Sequence, residues 1–235
     1  MKSKQLPLSW IFLLAPIGFI ITLLFYKLLG ESSFELQKYL GINQPRMFSL
    51  LIYTLSTGIG VLIYFFLLKS KGFSMKKAGY RNKLTLKGVF GAIIAFLIIS
   101  FVFYPVISST LAYFDIPMFW KSIGQTAVKQ NGNQDIFLGI LTAVILAPLT
   151  EDTIFRGYIY QMLSEKINYR LAILISSLLF AVIHINFFGP GLTIWVFFFG
   201  IASAYLYKKF NSIYPSLLFH ALNNFWAYII VPMIF

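Results

Sequence analysis

Seven apolar runs of roughly bilayer length, joined by short polar connections, leave this chain few folds other than a bundle of membrane-spanning helices. They cover about 6–29, 47–68, 88–114, 136–163, 171–187, 191–207 and 213–234, each near the ~20 residues a helix needs to cross. Only 11% of the side chains are charged and 59% are hydrophobic, against roughly 25% charged in a soluble domain. The expectation is an all-α, polytopic transmembrane bundle of about seven spans, within six to eight. The run after Lys2 and Lys4 is too long for a signal h-region and has no small-residue cleavage site before Glu31, so it is taken as the first span.

Charge sets the expected orientation. With the N-terminus inside, inner segments hold Lys2 and Lys4, then Lys69, Lys71, Lys76, Lys77, Arg81, Lys83 and Lys87, then Lys166, Arg170, Lys208 and Lys209. Outer segments hold Lys27, Lys38, Arg46, Lys121 and Lys129, with the acids Glu31, Glu35, Asp115 and Asp135. That sorting follows the positive-inside rule and favours N-in and C-out. The net charge of +12 therefore serves topology, and no polar domain is left to hold a nucleic-acid groove. Clustered bases beside a span also attract anionic headgroups, although the 69–87 loop is read first as a topology signal. With no cysteine, disulfides, thiolate metal sites and a cysteine nucleophile are excluded. Gly200 with Ala204, and Gly58 with Gly60, are read as helix contacts.

The fourth run breaks the apolar pattern at Glu151, Asp152 and Arg156. Charges at that depth are costly and functional by default. Asp152 and Arg156 are four apart, on one helix face, and form a natural ion pair; Glu151 is turned by about 100° from them. Glu151 is thereby left as a candidate general base. Both histidines of the chain, His184 and His220, are also intramembrane, on the spans that follow. His220 and Asn224 share a face one turn apart, and Phe180 is placed over His184 in the same way. At ~1.5 Å per residue, Glu151 lies roughly 18 Å deep, His184 roughly 20 Å, and His220 and Asn224 roughly 10 to 16 Å, so the three helices converge.

Such a set suits hydrolysis without a covalent nucleophile. Glu151 and His184 would activate a water, and His220 and Asn224 would donate to the oxyanion. The other chemistry is a metal site with zinc on Glu151, His184 and His220 and an open position for water. No HExxH is present, and the residues alone leave both open.

At these residues the chain resembles the CAAX protease and bacteriocin-processing (CPBP, or Abi) family of intramembrane endopeptidases. That family is marked by EExxxR, FxxxH and HxxxN or HxxxD on successive helices. Here they read Glu151-Asp152-Thr153-Ile154-Phe155-Arg156, Phe180 to His184, and His220 to Asn224. The resemblance covers about 136–228 and implies that Glu151 and His184 activate water without a required cofactor, that His220 and Asn224 form the oxyanion hole, and that Arg156 supports them. Asp152 stands where the family usually has a second glutamate. It keeps the charge and the reach to Arg156 on a shorter arm.

The expected organisation is an N-terminal set of helices over 1–135 and a catalytic core over 136–235. The expected activity is an intramembrane endopeptidase of a multi-pass protein in the bacterial cell membrane, cutting a peptide or membrane-protein substrate at the lipid bilayer. By resemblance, its work is bacteriocin or pheromone leader processing, self-immunity or CAAX-type cleavage. The alternatives are a non-catalytic scaffold, regulator or immunity protein of the same family, and a proton-coupled transporter. The transporter ranks last because two hydrophobically matched halves are lacking.

Overall fold

A computed structural model of the chain describes residues 74–118, 136–137 and 139–231, with scattered positions between 20 and 69. Most of the first two expected spans, and the outer loop over 119–135, lie outside the described residues. Every regular element among the described residues is helical. Leu86–Tyr113 (α1) and Pro190–Phe210 (α5) are long and apolar enough to cross a bilayer, and Tyr169–Val182 (α3) is a shorter apolar helix.

Helix α1 starts where the Thr85 side chain accepts the Gly88 N–H at 3.1 Å, an N-cap that supplies one of the acceptors a helix start lacks. Its surface stays apolar and exposed at Phe90, Ile94, Leu97 and Phe101, as a lipid-facing helix requires. The helical run 140–164 (α2) alternates in pitch. Ile140–Leu146 and Thr153–Tyr160 are π-helical, and between them Ala147–Asp152 is α-helical. Wide turns of this kind concentrate at functional sites, and here they bracket Glu151 and Asp152.

The fifth span departs from expectation. In place of one helix over 171–187, α3 stops at Val182, and a short helix, Ile185–Phe188 (α4), follows. The reason is local. The His184 ring nitrogen Nδ1 takes the Phe180 carbonyl at 2.7 Å, the acceptor that the His184 amide would use in a continuing helix. That amide bonds Ala181 instead. A side chain competing for a backbone acceptor ends the helix and leaves His184 in the turn.

Helix α5 ends at Asn211, whose left-handed backbone (φ 49°) turns the chain into α6, made of Tyr214–Phe225 and Trp226–Ile230. Helix α6 packs on α1, α2 and α5, with Phe199 and Phe219 stacked at 4.6 Å. Helices α3 and α5 pack along Gly200, where a methyl group would meet the Ser177 Cβ at 3.0 Å. The small pair Gly200 and Ala204 is therefore a helix contact, as small residues in membrane bundles usually are. At Gly58 a methyl would meet nothing within 4 Å, so no such contact is seen there among the described residues.

A tight turn at Lys76–Tyr80 clasps one end of the bundle. Gly79 adopts φ 94°, open to glycine at little cost, and its carbonyl accepts the Ile213 N–H at 3.1 Å. Ala78 lies against Gly157, where an added Cβ would come within 2.8 Å of the Ala78 carbonyl. Gly157→Ala is therefore expected to cost about 1–3 kcal/mol, the usual range for overpacking. Thermal unfolding of the purified protein in detergent checks it. An unchanged midpoint would mean that the turn gives way freely.

Candidate active site

The six α-helical residues before the second wide turn of α2 end in Glu151 and Asp152, and the side chains of these two part. Asp152 is fully buried and faces inward. Its Oδ1 receives Arg156 Nε at 3.1 Å and the Ser203 hydroxyl at 3.0 Å. Its Oδ2 faces His220 Nδ1 at 3.3 Å. Both oxygens of this buried anion are met, which is what makes its burial tolerable. Ser203 is itself tied to Ser216 on α6.

Arg156 is as deeply buried as its partner. Besides the ion pair, Nη2 reaches the Gly200 carbonyl at 3.4 Å, and the guanidinium lies 4.2 Å from the centre of the Phe180 ring. Among the described residues Nη1 has no hydrogen-bond partner, and a ring face is a fitting neighbour for a cation in that position.

Glu151 points the other way and keeps 15% of its side chain exposed. Its Oε2 lies 3.7 Å from His184 Nε2 and 3.8 Å from His220 Nε2. Both gaps exceed hydrogen-bond length and suit a bridging water. The structure thus brings together Glu151, His184 and His220 from α2, the α3–α4 turn and α6.

Hydrogen bonding assigns the tautomers. A carbonyl only accepts, so His184 Nδ1 carries hydrogen toward Phe180, and its neutral ring presents a lone pair at Nε2. A carboxylate also only accepts, so His220 Nδ1 carries hydrogen toward Asp152. Its Nε2 then accepts in the neutral ring and donates only in the doubly protonated one. Two imidazole lone pairs and a carboxylate oxygen therefore face one point.

Asn224 is not in hydrogen-bond contact with that group among the described residues. Its amide nitrogen donates to the Ala143 carbonyl at 2.8 Å, and its oxygen faces Asn223 Nδ2 at 3.4 Å. The Ala147 amide bonds five residues back, to Thr142. In that register Ala143 is owed a donor by Pro148, which has none, and Asn224 supplies it. Phe180 is also placed differently from expectation. Its ring is tilted 55° to His184 at 4.7 Å, and the parallel partner is Phe188, at 5.6 Å and 5°. Helix angles favoured Phe180 because it sits one turn before His184; the end of α3 turns the imidazole toward α4.

Sequence reasoning missed Ser203, Phe188, Asn223 and Tyr80. Asn223 is buried, with its oxygen facing the Ser100 hydroxyl at 3.3 Å, and the adjacent Asn-Asn pair was the available signal. The Tyr80 hydroxyl lies 2.7 Å from Thr153 Oγ1. Thr153 spends its own hydrogen on the Leu149 carbonyl, so Tyr80 is the donor. Burial pushes the Tyr80 phenol up to about 12, which keeps that hydrogen in place at neutral pH.

Fold and site together define a helical membrane protein with a carboxylate set against two imidazoles. Comparison with known proteins narrows this. Residues 133–226 match the family described as "Type II CAAX prenyl endopeptidase Rce1-like". The chain is 32% identical over 91 residues to the Bacillus subtilis protein named "Putative membrane peptidase YdiL", covering 39% of this chain and 36% of that one. It is 34% identical over 83 residues to the Lactococcus lactis "UPF0177 protein YxdF", covering 35% of this chain and 44% of that one. The chain thus spans less than half the length of either relative in these matches. No solved structure matches it. The stretch with the three motifs is thus similar to CAAX-type endopeptidases, and the family description and the first relative's name both point to a membrane protease.

Proposed function

We propose that the protein is an intramembrane endopeptidase whose attacking group is a water held between Glu151 and His184. The carrying observation is the pair of gaps, 3.7 and 3.8 Å, between one carboxylate oxygen and two Nε2 atoms. A water there gives one hydrogen to Glu151 and one to the His184 lone pair, and its own lone pair is left for a peptide carbonyl carbon. As the C–O bond forms, Glu151 takes the proton. The oxyanion is met by the second N–H of Asn224 and by Nε2–H of doubly protonated His220, whose Nδ1–H is held by the Asp152 carboxylate. Collapse breaks the C–N bond, and Glu151 returns the proton to the departing amine.

Seven spans with the N-terminus inside, and a core over 136–235 carrying these residues, belong to the same proposal. The substrate is a peptide or membrane-associated chain in a bacterial cell membrane. Asp152 acts behind the site, on His220 and Arg156, and its shorter arm does not remove it from either. Among the described residues no three His, Asp or Glu side chains are grouped closely enough to hold a metal ion as they stand; zinc on Glu151, His184 and His220, polarising a bound water, is the second reading.

The test compares membrane peptides from cells making the protein and its His184→Ala variant, read as new chain ends by mass spectrometry. Ends present only with the parent protein, and reduced about 10²–10⁴-fold in the variant, are expected from loss of a group that assists proton transfer. Full cleavage by the variant would sink the mechanism. Stoichiometric zinc lost together with activity on chelation would replace the carboxylate-activated water by the metal reading.

A further inference from the structure

Beside the clasping turn, with none of the site residues in its lining, the chain builds a concavity. It has a volume of about 390 Å³, and Arg81, Lys83, Thr85, Phe210, Ser212 and Pro215 line it. Its walls come from three parts of the chain stitched together. Asn82 donates to the Asn211 carbonyl at 2.7 Å, Ser212 donates to the Asn82 carbonyl at 3.1 Å, and Arg81 bonds the Asn211 side chain. The cavity is a product of the fold, not a chance gap between mobile loops.

Its chemistry is one-sided. Two cations and two hydroxyls line it, Phe210 and Pro215 add apolar surface, and no carboxylate contributes among the described residues. The same end of the bundle carries exposed Lys87, Lys208 and Lys209. Beside it along the chain stand Leu84, Leu86 and Phe90, respectively 41%, 72% and 56% exposed. A cationic cup next to exposed apolar side chains at the start of a spanning helix matches a ligand with an anionic head and an apolar tail. Topology alone would need the charges near the membrane but not a cavity to hold a group.

We propose that this cavity binds the headgroup of an anionic glycerophospholipid, with the phosphate at Arg81 and Lys83 and the acyl chains along Leu86 and Phe90. Arg81 is already oriented by Asn211, so its planar donors face the cup with little ordering left to do. Lys83 supplies the second, exposed charge. The proposal is independent of the catalytic one, since none of these residues touches Glu151, His184 or His220 among the described contacts.

The test is thermal unfolding of the full chain, purified in a nonionic detergent, with added dioctanoyl phosphatidylglycerol, dioctanoyl phosphatidylcholine or glycerol 3-phosphate. Phosphatidylglycerol is expected to raise the midpoint by about 5–10 °C at saturation, and the other two by little. Lys83→Glu should lose most of that rise, and Lys209→Glu, on the same end outside the cavity, should keep it. Should Lys83→Glu fail to fold, Lys83→Gln gives the same comparison by charge removal. Equal response to phosphatidylcholine, or equal loss in the Lys209 variant, would overturn the site in favour of general lipid or charge effects. An equal rise with glycerol 3-phosphate would overturn the lipid as ligand.

Discussion

Glu151→Gln is expected to lower peptide cleavage by about 10²–10⁴-fold, the range for removing a positioned general base, while the protein still folds. Gln keeps the size of the side chain and can still hold a water by hydrogen bonds. It cannot take the proton, so the loss falls on the chemical step and not on substrate binding. The folding half of the expectation rests on position. Glu151 keeps part of its surface exposed, and the two imidazoles that face it are beyond direct hydrogen-bond reach. The measurement is the rate of appearance of the new chain ends, beside the unfolding midpoint of the same preparation. Unchanged cleavage would remove Glu151 from the mechanism. A cellular phenotype that survives Glu151→Gln, and is lost on substitution of exposed helix faces, would mark the protein as a non-catalytic partner.

The largest effect on stability is expected from Arg156→Met. Removing one member of a buried ion pair costs about 3–5 kcal/mol, because the remaining charge stays buried without compensation. Among the described residues Asp152 would keep Ser203 and His220 alone, and the Phe180 ring would lose the cation on its face. Arg156→Lys restores a charge but not the fork that reaches Asp152 and Gly200 together, so it recovers part of the loss. Unfolding in detergent of the parent and both variants checks the order. A midpoint for Arg156→Met within experimental error of the parent would show that the pair does not stabilise the bundle.

These two variants separate two roles carried by adjacent residues. Glu151 and Asp152 are chemically alike and one position apart, yet a helix turn of about 100° per residue sends one toward the imidazoles and the other into the protein. That much was legible in the spacing, since Asp152 and Arg156 are four apart. The share of His220 in the Asp152 carboxylate was not legible. It depends on α6 lying against α2, a contact between residues 68 apart in the chain.

Asn224 illustrates the same limit from the other side. Its spacing from His220 suggested a shared role at the oxyanion, and the structure gives one of its hydrogens to Ala143. The cause is Pro148 just after a widened turn of α2, and no periodicity in α6 announces it. The break at His184 is similar. An apolar run over 171–187 reads as one helix until a single side chain takes the Phe180 carbonyl.

By itself the sequence determined the helical class, the membrane setting, the three motifs of the C-terminal stretch and the titratable residues available to a site. These follow from local quantities: apolar run length, charge placement and intervals of three or four along a helix. Only the tertiary structure decided which nitrogen of each histidine faces Glu151, that Ser203 and His220 complete the shell of Asp152, and that Arg81 and Lys83 line a cavity. Those depend on the directions in which side chains from distant helices meet, and such directions are set by packing, not by local spacing.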